Sequence, residues 1–166
     1  MNGQARSPAA GAAAPPPLVR PARPADAGAI ADFNLAMARE TEHLELCADT
    51  VARGVAAVMA DASHGFYVVA EVAARVAGAL LVTYEWSDWR NARFWWIQSV
   101  YVVPAARRLG VYRALHNYVE AQARAQEACG LRLYVETNNL TAQGVYRSMG
   151  MRESHYHIYE QEFPQP

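Results

Sequence analysis

Apolar residues recur along this chain with two different spacings, and the changes between them predict the order of the elements. Spacings of three and four residues indicate helices with one buried face, whereas alternation or short apolar runs indicate strands. Proline, glycine and asparagine mark the ends of these segments. The pattern predicts strands at residues 18–20, 66–72, 76–86, 94–103, 131–137 and 154–162, and helices at residues 24–40, 50–61, 111–129 and 139–149.

The order of these elements predicts an α/β (α+β) fold with about four helices on one mixed, mostly antiparallel sheet. The early strands follow one another through tight turns, which pairs them antiparallel, and the later strands alternate with helices. Asp49 or Thr50 is expected to cap the second helix, and Gly130 is expected to end the third. No internal repeat is present, so residues 18–166 are expected to form a single domain.

The stretch from Ile97 to Leu115 joins a strand to a helix through a short loop rich in arginine. Pro104 cannot donate in a ladder and ends the strand, after which the apolar positions take up helical spacing. The first N–H groups of a helix have no partner within it, and with the helix dipole they bind anions. Gly110 allows a close approach of the backbone, and Arg107 and Arg108 add positive charge. The loop fits a pyrophosphate; solvated arginines on an ordinary strand–loop–helix unit are the alternative.

A second strand–helix unit follows at residues 131–151. Asn138 or Asn139 can cap its helix, whose apolar residues keep helical spacing up to Gly150. Tyr146 lies on this helix. Its ring suits a position in the core, where the hydroxyl has a hydrogen-bond partner. The alternative is a functional site, where the hydroxyl takes part in the chemistry.

Together the two units resemble the acyl-CoA site of the GNAT superfamily of N-acetyltransferases. The family's cofactor loop has Arg or Gln, two residues, Gly, one residue, and then Gly or Ala. The chain follows this pattern up to its last position with Arg107-Arg108-Leu109-Gly110-Val111-Tyr112. A later family pattern is met by Asn139, Ala142, Tyr146 and Gly150. Tyr112 departs from the family, which has a small residue there that lets the backbone approach the diphosphate.

The resemblance implies the GNAT acyl-CoA N-acyltransferase fold, in which two middle strands splay apart around the pantetheine of acetyl-CoA, the acyl donor. The pantetheine amides are expected to pair with one strand edge, where a backbone N–H polarises the thioester carbonyl. The diphosphate is expected on the loop and the first turn of the next helix. The cofactor-binding residues implied are Val100, Tyr101, Val102, Arg107, Arg108, Leu109, Gly110, Val111, Tyr112, Arg113, Asn139 and Tyr146.

Two catalytic residues are expected for the transfer step. By the resemblance, Tyr146 matches the position of the acid that protonates the leaving thiolate. Glu85 is the first candidate for the base that deprotonates the acceptor amine, and Glu136 and Asp88 follow. A water held by Gln98 is a further route for this proton.

The composition of the chain limits which partners and which cellular compartment are expected for this activity. Residues 1–17 are rich in alanine and proline without the apolar core of a signal peptide, which predicts a disordered tail. A net charge of −1 gives no broad case for binding nucleic acid, and no apolar run is long enough to span a membrane. Cys47 and Cys129 have no pairing pattern and suit a reducing cytoplasm. His155 and His157 alone are too few to predict a metal site.

The sequence therefore predicts a cytoplasmic, acetyl-CoA-dependent N-acetyltransferase that moves an acetyl group directly to the primary amine of a small molecule or a peptide. The stretch at residues 84–90 resembles a bacterial branch of the family without a secure substrate. A GNAT fold that holds acyl-CoA as a sensor without turnover is the alternative, supported by Tyr112 and the poorly specified base. A phosphate- or nucleotide-binding domain ranks last, because no Walker loop or G-x-G-x-x-G occurs. A homodimer is left open.

Overall fold

The structure, a computed structural model, describes residues 16–161 and residue 163. The chain divides after Leu133 into two compact units, and the second begins at Tyr134. Most of the predicted disordered tail, residues 1–15, lies outside the described residues. Pro16 and Pro17 are described and take no regular secondary structure.

The first unit is built on a five-stranded mixed sheet, which confirms the predicted fold class. Its strands follow chain order across the sheet, so each strand lies beside the next one in sequence. The first four strands pair antiparallel, and the fifth is parallel to the fourth because a helix crosses between them. The strands are β1 (Leu18–Pro21), β2 (Phe66–Val72), β3 (Arg75–Ser87), β4 (Ala92–Val102) and β5 (Gly130–Arg132).

Among the described residues, four α-helices account for the helical spacings in the sequence. They are α1 (Ala27–Met37), α2 (Ala48–Ala60), α3 (Val111–Ala125) and, in the second unit, α4 (Leu140–Ser148). A 3-10 turn at Pro24–Asp26 precedes α1, and a π-helical turn at Ala38–Glu42 continues it. Such π-helical turns are uncommon and often occur at functional sites.

The sheet is covered on both faces, because alternate residues of its strands point to opposite sides. The face that packs on α1 and α2 has Ile30, Val55, Val69 and Ala79 in its core. The face that packs on α3 has Leu80, Val82, Trp95, Val111, Leu115 and Val119 in its core. These two helix layers enclose β4, the strand that carries the candidate site.

Two predicted helix ends are wrong. α2 begins directly after Cys47, so both residues predicted to cap it lie in its first turn. α3 ends at Ala125, and Glu127, with a φ of 55°, takes the left-handed position expected for Gly130. Gly130 instead begins β5, where a Cβ on it would lie 2.8 Å from the Phe94 ring. The glycine therefore serves the close approach of two strands.

The last two predicted strands also differ from the structure. β5 covers Gly130–Arg132 instead of residues 131–137, because the chain turns soon afterwards. The Glu136 carboxylate accepts the N–H of Asn138 at 2.8 Å in that turn. The described residues 151–161 contain no strand. A strand needs a partner edge for its backbone groups, and residues 154–161 of the strand predicted at residues 154–162 pair with none.

Candidate functional site

The two middle strands separate where the predicted cofactor edge begins. Among the described residues, the β4–β5 ladder runs only from Phe94 to Trp96, whereas β4 pairs with β3 as far as Val102. Between these points, Gln98 and Ser99 of β4 stand opposite a single residue of β3. Such a bulge bends its strand and interrupts regular pairing. The predicted splay of the middle strands is confirmed, and the bulge accounts for it.

Beyond the bulge, the backbone of β4 turns alternate residues toward β3 and toward the opposite edge. Val103 donates its N–H to the carbonyl of Ala77 at 2.9 Å, so residues in step with Val103 face β3. Val100 and Val102 alternate with Val103, so their N–H and C=O groups point to the opposite edge. The backbone of Tyr101 faces β3 like that of Val103, so Tyr101 can contribute to the site only through its side chain. Two of the three backbone positions predicted for the pantetheine thus face the open edge.

The loop after β4 enters α3 in a geometry that suits an anion site. A 3-10 turn at Pro104–Ala106 follows the strand, and Gly110 stands at the N-cap of α3 with a φ of 79°. Glycine adopts this left-handed conformation without strain. The first N–H groups of α3 have no partner within the helix and open onto the loop. A Cβ on Gly110 would meet no atom within 4 Å, so there is room beside these groups.

The other predicted loop residues contribute in different ways. Leu109 and Arg113 are exposed, whereas Val111 is 1 % exposed and can offer only its backbone to a ligand. Arg108 is exposed and takes a φ of 65°, which is uncommon for a residue with a side chain. Tyr112 is half-buried, and its ring centre lies 6.0 Å from that of His116, one turn further along α3. The bulky residue at the family's small position therefore packs along the helix.

Arg107, predicted to add charge to the anion site, already has an anionic partner. Its Nη2 donates to Oε2 of Glu40 at 2.5 Å, and its Nε donates to the carbonyl of Val102 at 2.9 Å. The Tyr101 hydroxyl donates to Oε1 of Glu40 at 2.7 Å. The hydrogen bonds from Tyr101 and from Arg107 lower the pKa of Glu40, so its carboxylate is ionised at neutral pH. We name this group the Glu40–Tyr101–Arg107 cluster.

No spacing in the sequence predicts the contact between Glu40 and Arg107, which lie 67 residues apart. The acidic run at residues 40–45 is the one sequence feature that points to this segment. The position of Glu40 depends on the π-helical turn after α1. The spacing of apolar residues in the sequence does not distinguish this turn from regular α-helix.

Glu85, the first candidate for the base, has donors on both of its oxygens. Nη1 of Arg132 donates to Oε1 at 2.6 Å, and the indole N–H of Trp96 donates to Oε2. The hydrogen bond from Trp96, and then the one from Arg132, lowers the pKa of Glu85. A carboxylate with a lowered pKa is a weaker proton acceptor. We name this group the Glu85–Trp96–Arg132 cluster.

The other two candidate bases lie in turns. Asp88 accepts the N–H of Trp89 at 2.9 Å in the turn between β3 and β4. Glu136 accepts both the N–H and the side-chain amide of Asn138, at 2.8 and 3.0 Å. Hydrogen bonds of this kind shape a turn, and they give each carboxylate a local structural role. Gln98 donates its side-chain N–H to the Thr83 hydroxyl at 3.0 Å.

In the second unit, α4 carries the remaining predicted site residues. Asn139 accepts the N–H of Ala142 at 3.0 Å, which confirms it as the helix cap. Gly150 follows the helix with a φ of 85°, the left-handed conformation predicted for it. Partial burial raises the pKa of the Tyr146 phenol, so the hydroxyl keeps its proton at neutral pH, as a general acid must.

The sequence gives no indication that His116 of α3 is buried. It is 2 % exposed, and neither of its ring nitrogens has a hydrogen-bond partner among the described residues. Burial lowers its pKa, and the nearby Glu120 opposes that shift. The imidazole is therefore neutral at neutral pH and acts as part of the packing of α3.

Comparison with known proteins identifies the family in which this arrangement occurs. The model of the acetyltransferase (GNAT) family matches residues 33–151, a stretch that includes β4, the loop, α3 and α4. The chain belongs to the GNAT family. Membership of this family makes the chain an N-acetyltransferase.

Solved structures of actual or possible acetyltransferases share this fold. A possible acetyltransferase from Clostridium difficile 630 is 41% identical, with a TM-score of 0.83 over 91% of this chain and 100% of that one. A ribosomal-protein-alanine N-acetyltransferase from Brucella melitensis biovar Abortus 2308 is 14% identical, with a TM-score of 0.71 over 89% and 99% of the chains. An aminoglycoside N-acetyltransferase in complex with CoA is also 14% identical, with a TM-score of 0.71 over 88% and 94%. The last two show the fold alone. No curated protein sequence matches the chain significantly.

Three further findings concern the setting of the site. Within the described part of the chain, none of the helices is both long and apolar enough to cross a membrane. Residues 16–161 and 163 contain no group of three or more His, Cys, Asp or Glu side chains placed to hold a metal ion. Cys47 and Cys129 are free thiols, one exposed and the other half-buried.

Proposed function

We propose that this GNAT enzyme transfers the acetyl group of acetyl-CoA directly to a primary amine of a small molecule or a peptide. The observation that carries the proposal is the course of β4, which separates from β5 at a bulge and leads through Gly110 into α3. An extended pantetheine can pair with the open edge of β4, and the diphosphate can bind the N-terminus of α3. One continuous stretch of backbone thus accommodates both ends of acetyl-CoA.

Acetyl transfer makes one bond and breaks another at the thioester carbonyl. The acceptor nitrogen attacks the carbonyl carbon, and a C–N bond replaces the C–S bond as the CoA thiolate leaves. An N–H of Val100 or Val102 donates to the carbonyl oxygen as its negative charge grows. Tyr146 gives its hydroxyl proton to the thiolate, and the proton that the amine loses balances it.

The acceptor amine loses its proton to water held at Gln98. Two observations support this route over direct transfer to Glu85: both oxygens of Glu85 accept hydrogen bonds, and its pKa is lowered. Gln98 lies at the bulge itself, beside the open part of β4. A water bound there can pass the proton to solvent.

Gly110→Glu tests the cofactor site. Millimolar acetyl-CoA should raise the Tm of the parent protein, because a ligand that binds only the native state stabilises it by mass action. Gly110→Glu should abolish this rise, because its carboxylate occupies the open space beside the helix cap and repels the diphosphate. Gly110→Ala is the matched control: it has the same backbone strain without the charge and should keep most of the rise. No rise in the parent protein would rule the proposal out.

Tyr146→Phe tests the acid, once an acceptor is known. The substitution keeps the ring and deletes the hydroxyl, so acetyl-CoA should still raise the Tm. Turnover should fall by roughly 10²–10⁴-fold, with the loss in kcat, if the hydroxyl protonates the leaving thiolate. Equal turnover by the parent and the variant would refute this role.

A screen of primary amines, with release of the free CoA thiol as the measured signal, would identify the acceptor. The chain has no lysine among its basic residues, so acetylation of its own side-chain amines adds no background. Peptides with a free N-terminus and small polyamines belong in the same screen, because the proposal includes both classes of acceptor.

The proposal also places the enzyme in the cytoplasm. Its two cysteines, Cys47 and Cys129, are free thiols, which is typical of proteins from reducing compartments. Mass spectrometry of thiols alkylated in intact cells tests this: both cysteines should be labelled without prior reduction.

A further inference from the structure

Arg107 lies at a junction of three parts of the candidate site. Its backbone begins the loop that leads into α3, and its Nε holds the carbonyl of Val102 at the open edge of β4. Its Nη2 holds Glu40 at 2.5 Å, and Glu40 belongs to the π-helical turn after α1. An arginine whose task is to attract phosphate would not need a carboxylate at this distance. The contacts of Arg107 instead resemble those of a structural brace.

Tyr101 restricts the movement of this brace. Its hydroxyl donates to the second oxygen of Glu40 at 2.7 Å, and its ring centre lies 5.4 Å from that of Phe33 on α1. The guanidinium carbon of Arg107 lies 5.5 Å from the centre of the Tyr101 ring. Both oxygens of Glu40 are thus engaged, and the ring lies between the helix and the guanidinium. Carboxylate, phenol and guanidinium therefore hold one another in place.

We propose that Glu40 is a positioning residue for the acetyl-CoA site: through Arg107, it holds the loop before α3 against the end of β4. Arg107 is then a brace between the edge and the loop, and it is not a ligand of the diphosphate. The inference rests on the proposed function, because it concerns the same cofactor site. Glu40 reaches this site from the π-helical turn, so the segment after α1 influences how acetyl-CoA binds.

The two roles of Arg107 predict opposite effects of removing the charge of Glu40. If Glu40 positions the loop, Glu40→Gln loosens the loop and raises the Kd of acetyl-CoA by about threefold to tenfold. If Arg107 is a phosphate ligand, Glu40 competes with the diphosphate for it, and Glu40→Gln lowers the Kd. The sign of the change therefore decides between them.

Calorimetric titration of acetyl-CoA into the full chain measures this sign. Arg107→Gln should raise the Kd at least as much as Glu40→Gln, because it also removes the hydrogen bond to the Val102 carbonyl. The double variant should bind no more weakly than Arg107→Gln, because the arginine substitution already removes the contact with Glu40. Glu40→Asp keeps the charge and should recover part of the loss. Glu45→Gln is the matched control, since Glu45 pairs with Arg39 at 3.0 Å in the same segment, and it should leave the Kd unchanged. An unchanged or lowered Kd in Glu40→Gln, or additive losses in the double variant, overturns the inference.

Hydrogen exchange in the ligand-free protein provides a second readout that does not depend on acetyl-CoA. The amides of residues 108–112 should exchange faster in Glu40→Gln than in the parent protein or in Glu45→Gln. If the parent binds acetyl-CoA but exchange in this loop is unchanged, the inference fails and the proposed function stands. If the parent does not bind acetyl-CoA, the proposed function fails and the inference fails with it.

Discussion

The same polar arrangement occurs on both sides of the bulge in β4, and only one copy lies where the sheet is open. In the Glu85–Trp96–Arg132 cluster, an indole N–H and an arginine donate to the two oxygens of one carboxylate. The Glu40–Tyr101–Arg107 cluster has a phenol hydroxyl and an arginine in the same places. In both, the aromatic donor is the larger cause of the lowered carboxylate pKa and the arginine the next.

The two clusters differ in what they join. The Glu85–Trp96–Arg132 cluster links β3, β4 and β5 where their ladders are complete, and Arg132 stacks 3.7 Å from the centre of the Phe94 ring. The Glu40–Tyr101–Arg107 cluster lies beyond the bulge, where it links β4 to a loop and to the π-helical turn. Similar residues thus join the strands of the sheet on one side of the bulge and, by our proposal, hold the acetyl-CoA loop on the other. Position relative to the bulge, more than residue type, decides which role a cluster has.

Glu85→Gln is expected to have the largest effect on stability among the changes that test this comparison. It should lower the free energy of unfolding by about 1 kcal/mol, because it removes the charge that Arg132 pairs with at a partly exposed site. Glu40→Gln should lower it by less, since the contacts it loses join β4 to a turn and a loop and do not join two strands. Urea unfolding of the full chain at pH 7, followed by circular dichroism, measures both.

Turnover of the same variant then separates a structural Glu85 from a catalytic one. As a structural residue, Glu85 can be replaced with kcat within about threefold of the parent value. A loss of about 10²–10⁴-fold in kcat at unchanged stability would instead identify Glu85 as the base that the sequence first suggested. That result would also remove the proposed route through water at Gln98.

Sequence patterns predicted the elements that depend on local periodicity. β2 was predicted with its observed bounds, and the start of α3 and the cap at Asn139 also agree with the structure. The final strand at residues 154–162 failed, because a strand depends on a partner edge that lies elsewhere in the chain. The alternation of its residues carries no information about whether such an edge is present.

The candidate site shows the same limit for side chains. The loop and Gly110 could be predicted from the sequence, because a glycine after Arg-Arg-Leu and before a helix suits a helix N-terminus. The partners of Glu40 and Glu85 could not, because they lie 61, 67, 11 and 47 residues away. Such pairs depend on register between strands and on the course of the π-helical turn.

A pH series tests whether the two clusters share the same chemistry, as the comparison assumes. Each carboxylate has a pKa below its ordinary value of 4.5, so the unfolded chain binds protons first as the pH falls. The stability each carboxylate contributes is therefore fully present above pH 4.5 and is lost as the pH falls through its lower native pKa. The difference in unfolding free energy between the parent and Glu85→Gln should shrink in that window.

The same should hold for Glu40→Gln in urea unfolding at pH 6, 5, 4 and 3. His116 also titrates on unfolding, because burial lowers its pKa, but it is present in every variant and cancels from the differences. If only one of the two differences shrinks with acid, the clusters do not share their electrostatics and the comparison fails.

Replacing each arginine by lysine is the smallest change and tests the comparison most finely. Lysine keeps the charge but loses the planar fork, and with it the stacking on an aromatic ring. Arg132→Lys should lower the free energy of unfolding by about 0.5–1 kcal/mol, because its guanidinium lies 3.7 Å from the Phe94 ring centre. Arg107→Lys should lower the free energy of unfolding by less than about 0.5 kcal/mol. The guanidinium carbon of Arg107 lies 5.5 Å from the centre of the Tyr101 ring, and its side chain is exposed.

Binding should show the reverse order. Arg107→Lys should raise the Kd of acetyl-CoA about twofold to threefold, because an ammonium cannot hold both Glu40 and the carbonyl of Val102 in the geometry of the fork. Arg132→Lys should leave the Kd unchanged, because its contacts lie where the β4–β5 ladder is complete. Unfolding and calorimetric titration of both variants give the four values needed. Equal stability losses, or a raised Kd in both variants, would mean that the bulge does not divide β4 into a structural end and a binding end.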